Sequence, residues 1–600
     1  MGLDSTMILS ASGWRKVFAI SQNEQDATPD ISNDDYNIAM VAADCFVEYL
    51  YTKLDIENPV IAVGMDARPT GPKIAEAVIN ILTAKKAVIQ FLGVTAAPEI
   101  MAYARKLDGF IYISASHNPI GHNGIKFGTN DGGVLNAAEN AIVTADFRKK
   151  INDDEYIAAI KYLIDNQKNS EIKHVWDDEA TAKHNAVKAY YDFMNVTITD
   201  SKDEEEQKQI FSFIHKAIAS NPVGIVCDFN GSARTVSIDK GYFKAHNINF
   251  YSINDKPGQI VHEIIPEAEN LVHVAAQMEK LHKEGHKEVV LGYMPDCDGD
   301  RGNIVYWDEK LKQAVILKAQ EVFSLSVLAE VTYQIWKHNH TEKDSGKITK
   351  DFKPAVCVNC PTSMRIEEIV HTLGGQVFRA EVGEANVVNC AREHRDMGYD
   401  VRILGEGSNG GTITYPSAVR DPLNTIFAII KLLSIREDGL YEIWCKKAGI
   451  EYKKDFTLSD ILETLPKYTT TGVSEPRAVL HINTTDHTVL KGNFQKVFIK
   501  QWNEKQSELV KKFNICSWEG IITNGTKETR EVKDFSLSGK GGLKVLFKDA
   551  KDEPVAYIWM RGSGTEPVFR IMCDVKGQKP QVEKDLLAWE TEMLQLADKM

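Results

Sequence analysis

The chain has 600 residues, 70 of them basic and 84 acidic, for a net charge of −14. That length suits three to five domains at roughly 100–200 residues each, and 43% apolar with 26% charged residues is ordinary globular composition rather than a disordered one. The acidic balance argues against a nucleic-acid footprint and against a basic membrane-binding surface, so an anionic ligand would need a locally positive site.

Three stretches of the chain look alike. They are "NPVIAVGMDAR" from Asn58 to Arg68, "NPVGIVCDFNGSAR" from Asn221 to Arg234, and "KPAVCVNCPTSMR" from Lys353 to Arg365. Each has a proline, a short apolar strand, a polar loop and an arginine, then a helical pattern. A second strand follows in each: "AVIQFLGV", "NINFYSI" and "QVFRAEV". After another helical stretch a third strand follows: "GFIYISASHNP", "EVVLGYMPDCDGDR" and "YDVRILGEGSNGG". Strands alternating with helices predict βαβ units and largely parallel sheets, repeated as domains. The acidic run "DSKDEEEQ" at 200–207 reads as a solvated surface helix or a linker. Residues 151–205 carry no clear assignment.

From about residue 441 the pattern changes. "LSDILETLPKYTTT" reads as a helix followed by a polar linker, and in "PVAYIWMRGSGTEPVFRIMCDV" a strand, Val555 to Met560, meets a Gly/Ser/Thr turn and a second strand. The predicted fold is therefore α/β: three similar mixed or parallel-sheet α/β domains (1–218, 219–315 and 316–440) and a C-terminal α+β domain (441–600), around one central cleft. In open α/β sheets ligands bind beyond the carboxyl ends of the strands, so the loops after the three third strands are expected to converge there.

Those loops have unusual chemistry. In Asp296-Cys-Asp298-Gly-Asp300-Arg301, three aspartates at alternate positions can direct oxygens at one hard cation such as Mg²⁺. An EF-hand is excluded, because its sixth and twelfth positions would be Arg301 and Trp307 rather than Gly and Glu. Ser116 sits beside His117 at a strand end, a nucleophile next to a proton carrier, with Lys126 further along. The glycines of a G-x-S-x-G hydrolase elbow are missing around it. Gly405-Glu406-Gly407-Ser408 offers an acid and a hydroxyl to vicinal sugar hydroxyls. Arg561-Gly-Ser563-Gly564-Thr565 offers backbone and side-chain donors to a phosphate. Of the four loops, the aspartate loop stands out by itself, because a strand aims it at the ligand edge of a sheet, whereas each of the other three could alone be an ordinary turn. Together they supply positioning and charge neutralisation for phosphoryl transfer on a polyol phosphate.

With these motifs in this order, nearly the whole chain resembles the α-D-phosphohexomutase superfamily, the phosphoglucomutases and phosphomannomutases. Ser-Ala-Ser116-His-Asn-Pro is similar to the family's phosphoserine loop, Asp-x-Asp-Gly-Asp-Arg301 to its metal loop, Gly-Glu-Gly-Ser408 to its sugar loop and Arg-Gly-Ser-Gly-Thr-Glu-Pro567 to its phosphate loop. Ser12-Gly-Trp-Arg15 resembles its N-terminal arginine motif. The resemblance implies exchange of phosphate between O1 and O6 of a hexose through phosphorylated Ser116 and a hexose 1,6-bisphosphate, which also acts as activator. Mg²⁺ would be held by Ser116, Asp296, Asp298 and Asp300. Arg15 and Arg301 would support the phosphoryl group, and Lys126 or His117 would carry the proton. Glu406 and Ser408 would hold sugar hydroxyls; Arg561, Ser563, Gly564 and Thr565 would hold the second phosphate. Two departures bear on the sugar: Asn409-Gly410 stands where many members have Gly-His, and Glu384-Ala-Asn386 where many have Lys or Arg. Phosphoglucomutase is the first expectation. Phosphomannomutase or dual activity comes next, then an amino-sugar or pentose phosphate mutase, and a metal-dependent sugar phosphatase last.

Nine cysteines without regular spacing imply reduced thiols in a cytosol. The CxxC of Cys357 and Cys360 falls in an apolar strand pattern and reads as structural. No signal peptide or apolar run of ~18–20 residues is seen. Met1-Gly2 with Thr6 fits the short myristoylation pattern, but no polybasic patch or second lipid signal accompanies it. The expected partners are small sugar phosphates, with no nucleic acid and no membrane. The oligomeric state, monomer or dimer, stays open, and the expected location is cytoplasmic.

Overall fold

The computed structural model describes residues 3–345, 352–436, 438–562 and 568–600. The chain divides into two units, Met1–Lys318 with Ile413–Ile435, and Ala319–Thr412 with Arg436–Met600.

The first unit holds two mixed sheets on one plan. In the six-stranded sheet, Val88–Val94, Val60–Met65 and Gly109–Ile113 run parallel, and His122–Thr129, Gly13–Val17 and Ile8–Ser10 add on antiparallel. In the five-stranded sheet, Asn249–Ile253, Gly224–Asp228 and Val289–Pro295 run parallel, and Gly302–Asp308 and Gln313–Ile316 add on antiparallel. The parallel strands are joined through helices, as parallel pairs require, while the antiparallel return needs only a short loop. Thus the Ser116 loop and the aspartate loop are each the tip of a hairpin. These returns, with Gly13–Val17, Ile8–Ser10 and Gln313–Ile316 beyond them, are strands that the alternation of strands and helices did not foretell.

All of Gly109–Ile113 is buried, because both faces of its sheet are covered. Ile111 and Ile113 pack with residues of helices Asn33–Lys53 and Gly71–Ala84. Phe110 and Tyr112, on the opposite face, pack with Ala97, Ile100, Ala182, Ala186 and Ala189. The period of two along the strand explains this split, and fixes which residue of the following loop points where. The segment without a sequence assignment is helical: Asp154–Asp165, Asn169–Asp177 and Glu179–Thr199. The acidic run begins helix Glu204–Ser220. Asp203 accepts from the Glu206 N–H at 2.8 Å, and Glu204, Glu205 and Glu206 lie at the helix's positive end.

In the second unit, Gln376–Ala380, Pro354–Asn359 and Asp400–Glu406 run parallel. A separate antiparallel sheet contains Val568–Lys576, Pro554–Gly562, Gly542–Lys548 and Ser517–Asn524. Its inner face packs on helices His487–Phe513 and Pro580–Ala597, through Phe494, Phe498, Leu586 and Met593 among others. The antiparallel C-terminal sheet expected from the sequence is present, with its Val555–Met560 strand extended to Pro554–Gly562. Among the described residues no helix is long and apolar enough to cross a membrane.

Candidate active site

The strand Gly109–Ile113 ends in a tight, buried turn. Ser114 Oγ accepts from the Ser116 N–H at 2.8 Å, and Ser116 itself sits at φ +55°, where non-glycine residues are uncommon. Arg68, buried beside Asp66, donates from Nη2 to the Ser116 carbonyl at 2.8 Å and to that of Asn118. The turn is therefore held from beneath by a fixed cation. It presents the Ser116 hydroxyl to the second hairpin, where Oγ donates to Asp296 Oδ2 at 3.0 Å.

Asp296, Asp298 and Asp300 are all buried, and one carboxylate oxygen of each lies within 4.8 Å of the others. Three groups hold them: the Arg301 N–H donates to Asp296 Oδ1 at 3.1 Å, Lys126 Nζ to Asp298 Oδ2 at 2.7 Å, and Arg420 Nη2 to Asp300 Oδ2 at 2.8 Å. Asp298 Oδ1 and Asp300 Oδ1 are buried and accept nothing from the described residues. Burial first, and then the charges of Asp298 and Asp300, push the Asp296 carboxyl well above the usual carboxylate range. Burial acts the same way on Asp298, but the Lys126 ammonium and then Arg68 and Arg420 outweigh it and hold that carboxyl below the range. Buried carboxylates with unspent oxygens and a neighbouring hydroxyl form a hard-oxygen donor set, and it fits Mg²⁺.

The structure also brings Lys126, His117, Arg15 and Arg301 to this pair of loops. Arg15 lies on Gly13–Val17 opposite Gly124; burial lowers its guanidinium pKa, in a field set by Asp298, Arg301, Asp300 and Arg420. The charge of Arg301 first, then burial, holds His117 well below the ordinary histidine value, so its imidazole is neutral, and Nδ1 has no partner among the described residues. Sequence reasoning missed Arg68, Arg234 and Arg420. Two of them were visible as the arginines that end the first two repeats. Arg234 does for the aspartate loop what Arg68 does for the serine loop: Nη1 donates to the Gly299 carbonyl at 3.1 Å while Asp239 fixes Nε at 2.9 Å. The third, Arg365, instead donates to the Tyr468 carbonyl at 3.0 Å.

In the second unit, Glu406 ends its strand. Its Oε1 accepts from Asn359 Nδ2 at 3.1 Å and from the Gly383 N–H at 2.8 Å, and the same Nδ2 lies 3.2 Å from Ser408 Oγ as donor. Thr362 Oγ1 donates to Asn359 Oδ1 and accepts from the Gly407 N–H at 3.0 Å. Glycine is required at 405, where a Cβ would stand 2.3 Å from the Gly411 carbonyl oxygen. Arg561 Nε donates to Glu381 Oε1 at 3.1 Å; Ser563, Gly564 and Thr565 lie outside the described residues. The CxxC cysteines do not act as a pair. Cys360 Sγ accepts from Trp559 Nε1 at 3.0 Å, whereas Cys357 Sγ is 3.7 Å from Cys390 Sγ.

Comparison with known proteins gives a consistent set. The chain matches the family model of phosphoglucomutase/phosphomannomutase α/β/α domain I over residues 11–154 and that of domain III over residues 333–467. It is 28% identical over 393 residues to a phosphoglucosamine mutase of Methanococcus aeolicus, covering 64% of this chain and 72% of that one. It is 22% identical over 537 residues to a phosphoglucomutase/phosphomannomutase of Thermococcus kodakarensis, covering 87% of each. Among solved structures, the phosphoglucomutase parafusin of Paramecium in its open form shares the fold, with a TM-score of 0.58, 14% identity, and coverage of 97% of this chain and 96% of that one.

Proposed function

We propose that this chain, a member of the α-D-phosphohexomutase superfamily of isomerases that act by phosphoryl transfer, interconverts hexose 1-phosphate and hexose 6-phosphate through a phosphoserine at Ser116. The observation that carries this reading is the Ser116 hydroxyl, 3.0 Å from Asp296, beside two aspartate oxygens that have no partner among the described residues.

In the proposed cycle the phosphoryl group rests on Ser116 Oγ. The free hydroxyl oxygen of a hexose monophosphate attacks phosphorus as the Oγ–P bond breaks, giving a hexose 1,6-bisphosphate and free Ser116. We assign the hydroxyl proton to Lys126, which can take it only after giving up one of its own protons and its pairing with Asp298, with the neutral His117 imidazole the second candidate; the proton returns to the serine oxygen. After the bisphosphate turns around, its other phosphoryl group passes back to Ser116. Asp296, Asp298 and Asp300, with the phosphoryl oxygen on Ser116, would hold Mg²⁺, which supplies charge neutralisation for the transferring group. Arg15 and Arg301 add positive charge. Glu406 and Ser408 would hold sugar hydroxyls, and Arg561, Ser563, Gly564 and Thr565 the non-reacting phosphate.

Glucose phosphate is the first substrate assignment. A second, glucosamine phosphate, is favoured by the name of the Methanococcus relative. Turnover of glucose 1-phosphate, mannose 1-phosphate and glucosamine 1-phosphate on one preparation decides between them. The expected result is the highest kcat/KM with glucose 1-phosphate, dependence on catalytic glucose 1,6-bisphosphate, and no release of inorganic phosphate. A higher value with glucosamine 1-phosphate would move the substrate assignment; stoichiometric phosphate release would overturn the mutase reading.

A further inference from the structure

A cavity of about 590 Å³ opens in the second unit, between helix Arg365–Thr372 and the antiparallel sheet. That volume is within the range of small-molecule sites. Met364, Arg379, Ile521, Lys544 and Leu546 line it and are buried, and most of the remaining lining residues are charged. Neither Glu406, Ser408 nor Arg561 lines it.

Its cations are paired, with one exception. Arg379 is held by Glu367 at 2.7 Å and by the carbonyls of Asn359, Cys360 and Thr362. Arg530 pairs with Glu519 at 2.9 Å, and Lys576 with Glu368. Lys544 is only 4% exposed. Its Nζ stands 4.4 Å from the centre of the Tyr557 ring, and among the described residues no carboxylate or carbonyl accepts a hydrogen bond from it. A buried ammonium without an acceptor is strongly disfavoured. Burial first, and then the charge of Arg379, lowers this amine to about 8. An arrangement that is unfavourable in the empty protein becomes favourable once an anion sits on Nζ.

We propose that this cavity is a second ligand site, in which Lys544 receives the head of a small amphipathic monoanion whose apolar body covers Met364, Ile521 and Leu546. The acidic residues of the lining, Glu367, Glu368, Glu528 and Glu553, disfavour a dianion and select a carboxylate or sulfonate over a phosphate.

The probe is 8-anilinonaphthalene-1-sulfonate, an aromatic monoanion, titrated into the full folded chain and followed by its fluorescence. One saturable site is expected, weakened at least tenfold in Lys544→Met, retained in Lys544→Arg, displaced by benzoate and not by inorganic phosphate. Lys544→Met removes an uncompensated buried charge, so it is also expected to raise Tm and to leave mutase turnover within twofold. In the unaltered protein, dinitrofluorobenzene should label Lys544, as mapped by peptide mass spectrometry, and saturating probe should slow that labelling. No saturable binding, equal binding by Lys544→Met, displacement by phosphate instead of benzoate, or labelling of Lys544 at an unchanged rate would each overturn the site.

Discussion

Ser116 Oγ donates to Asp296 Oδ2 at 3.0 Å across 180 residues of chain. Two hairpin tips from different sheets thus meet at a hydroxyl and a carboxylate, and Arg68 and Arg234 brace each tip from behind. Ser116→Ala removes the only atom that can carry the phosphoryl group in the proposed cycle. Turnover is expected to fall by at least about 1,000-fold, a typical loss when a covalent nucleophile is removed. Sugar-phosphate affinity by calorimetry should change little, since the hydroxyl is not assigned to ground-state binding. Turnover near the parent level would contradict a covalent intermediate.

Asp298→Asn keeps the size of the side chain and removes the carboxylate charge that pairs with Lys126 at 2.7 Å. The expected loss is about 100-fold or more in kcat, on the scale seen when one electrostatic stabiliser is removed. The free Mg²⁺ needed for half-maximal rate should rise. In the parent enzyme, a chelator should abolish turnover and added Mg²⁺ restore it. An unchanged metal requirement in the variant would remove Asp298 from the site.

Asn359 gives one amide to both Glu406 and Ser408. Asn359→Ala leaves those two oxygens without a shared donor. Steady-state kinetics should show KM for the sugar phosphate rising about tenfold, in line with the loss of a buried hydrogen-bond donor, while kcat falls less. A change confined to kcat would place Asn359 elsewhere in the mechanism.

Glu267 gives a pH test outside the loops. Burial lifts its carboxyl to about 7 from an ordinary 4.5, against a smaller opposing effect of Arg301. The group is raised in the folded state, so its contribution to stability is whole below pH 4.5 and is lost as pH rises through about 7. Glu267→Gln stays neutral throughout. Urea midpoints of the two proteins should coincide below pH 4.5, draw apart between pH 4.5 and about 7, and stay apart above it, with the variant the more stable. Equal midpoints at pH 8 would mean that the carboxyl is not raised.

Much of this site could be read from the sequence, because loop chemistry is local. Alternate aspartates after a strand, or glycines around an acid, carry their meaning within six residues. Arg68 and Arg234 were also legible, as the residues that close two repeats. Arg420 and Asn359 were not: Arg420 meets Asp300 across 120 residues, and Asn359 meets Ser408 across 49, so only folding shows the partnership. The hairpin returns His122–Thr129 and Gly302–Asp308 were hidden for a similar reason, since a buried strand reads alike whether it runs parallel or antiparallel. Helix Glu179–Thr199 escaped because the buried side of its first half carries only Ala182, Ala186 and Ala189, residues too small to give a strong apolar period, and the larger Tyr190, Met194 and Ile198 come only in its second half.

The most direct test is the phosphorylation state of Ser116. The enzyme is mixed with glucose 1,6-bisphosphate, digested and mapped by mass spectrometry, before and after a chase with excess glucose 6-phosphate. The expected result is one phosphoryl group on Ser116 that disappears in the chase and is recovered on the sugar. A preparation that turns over substrate with the phosphoryl group on another residue, or with none on the protein at any stage, would contradict the proposed cycle.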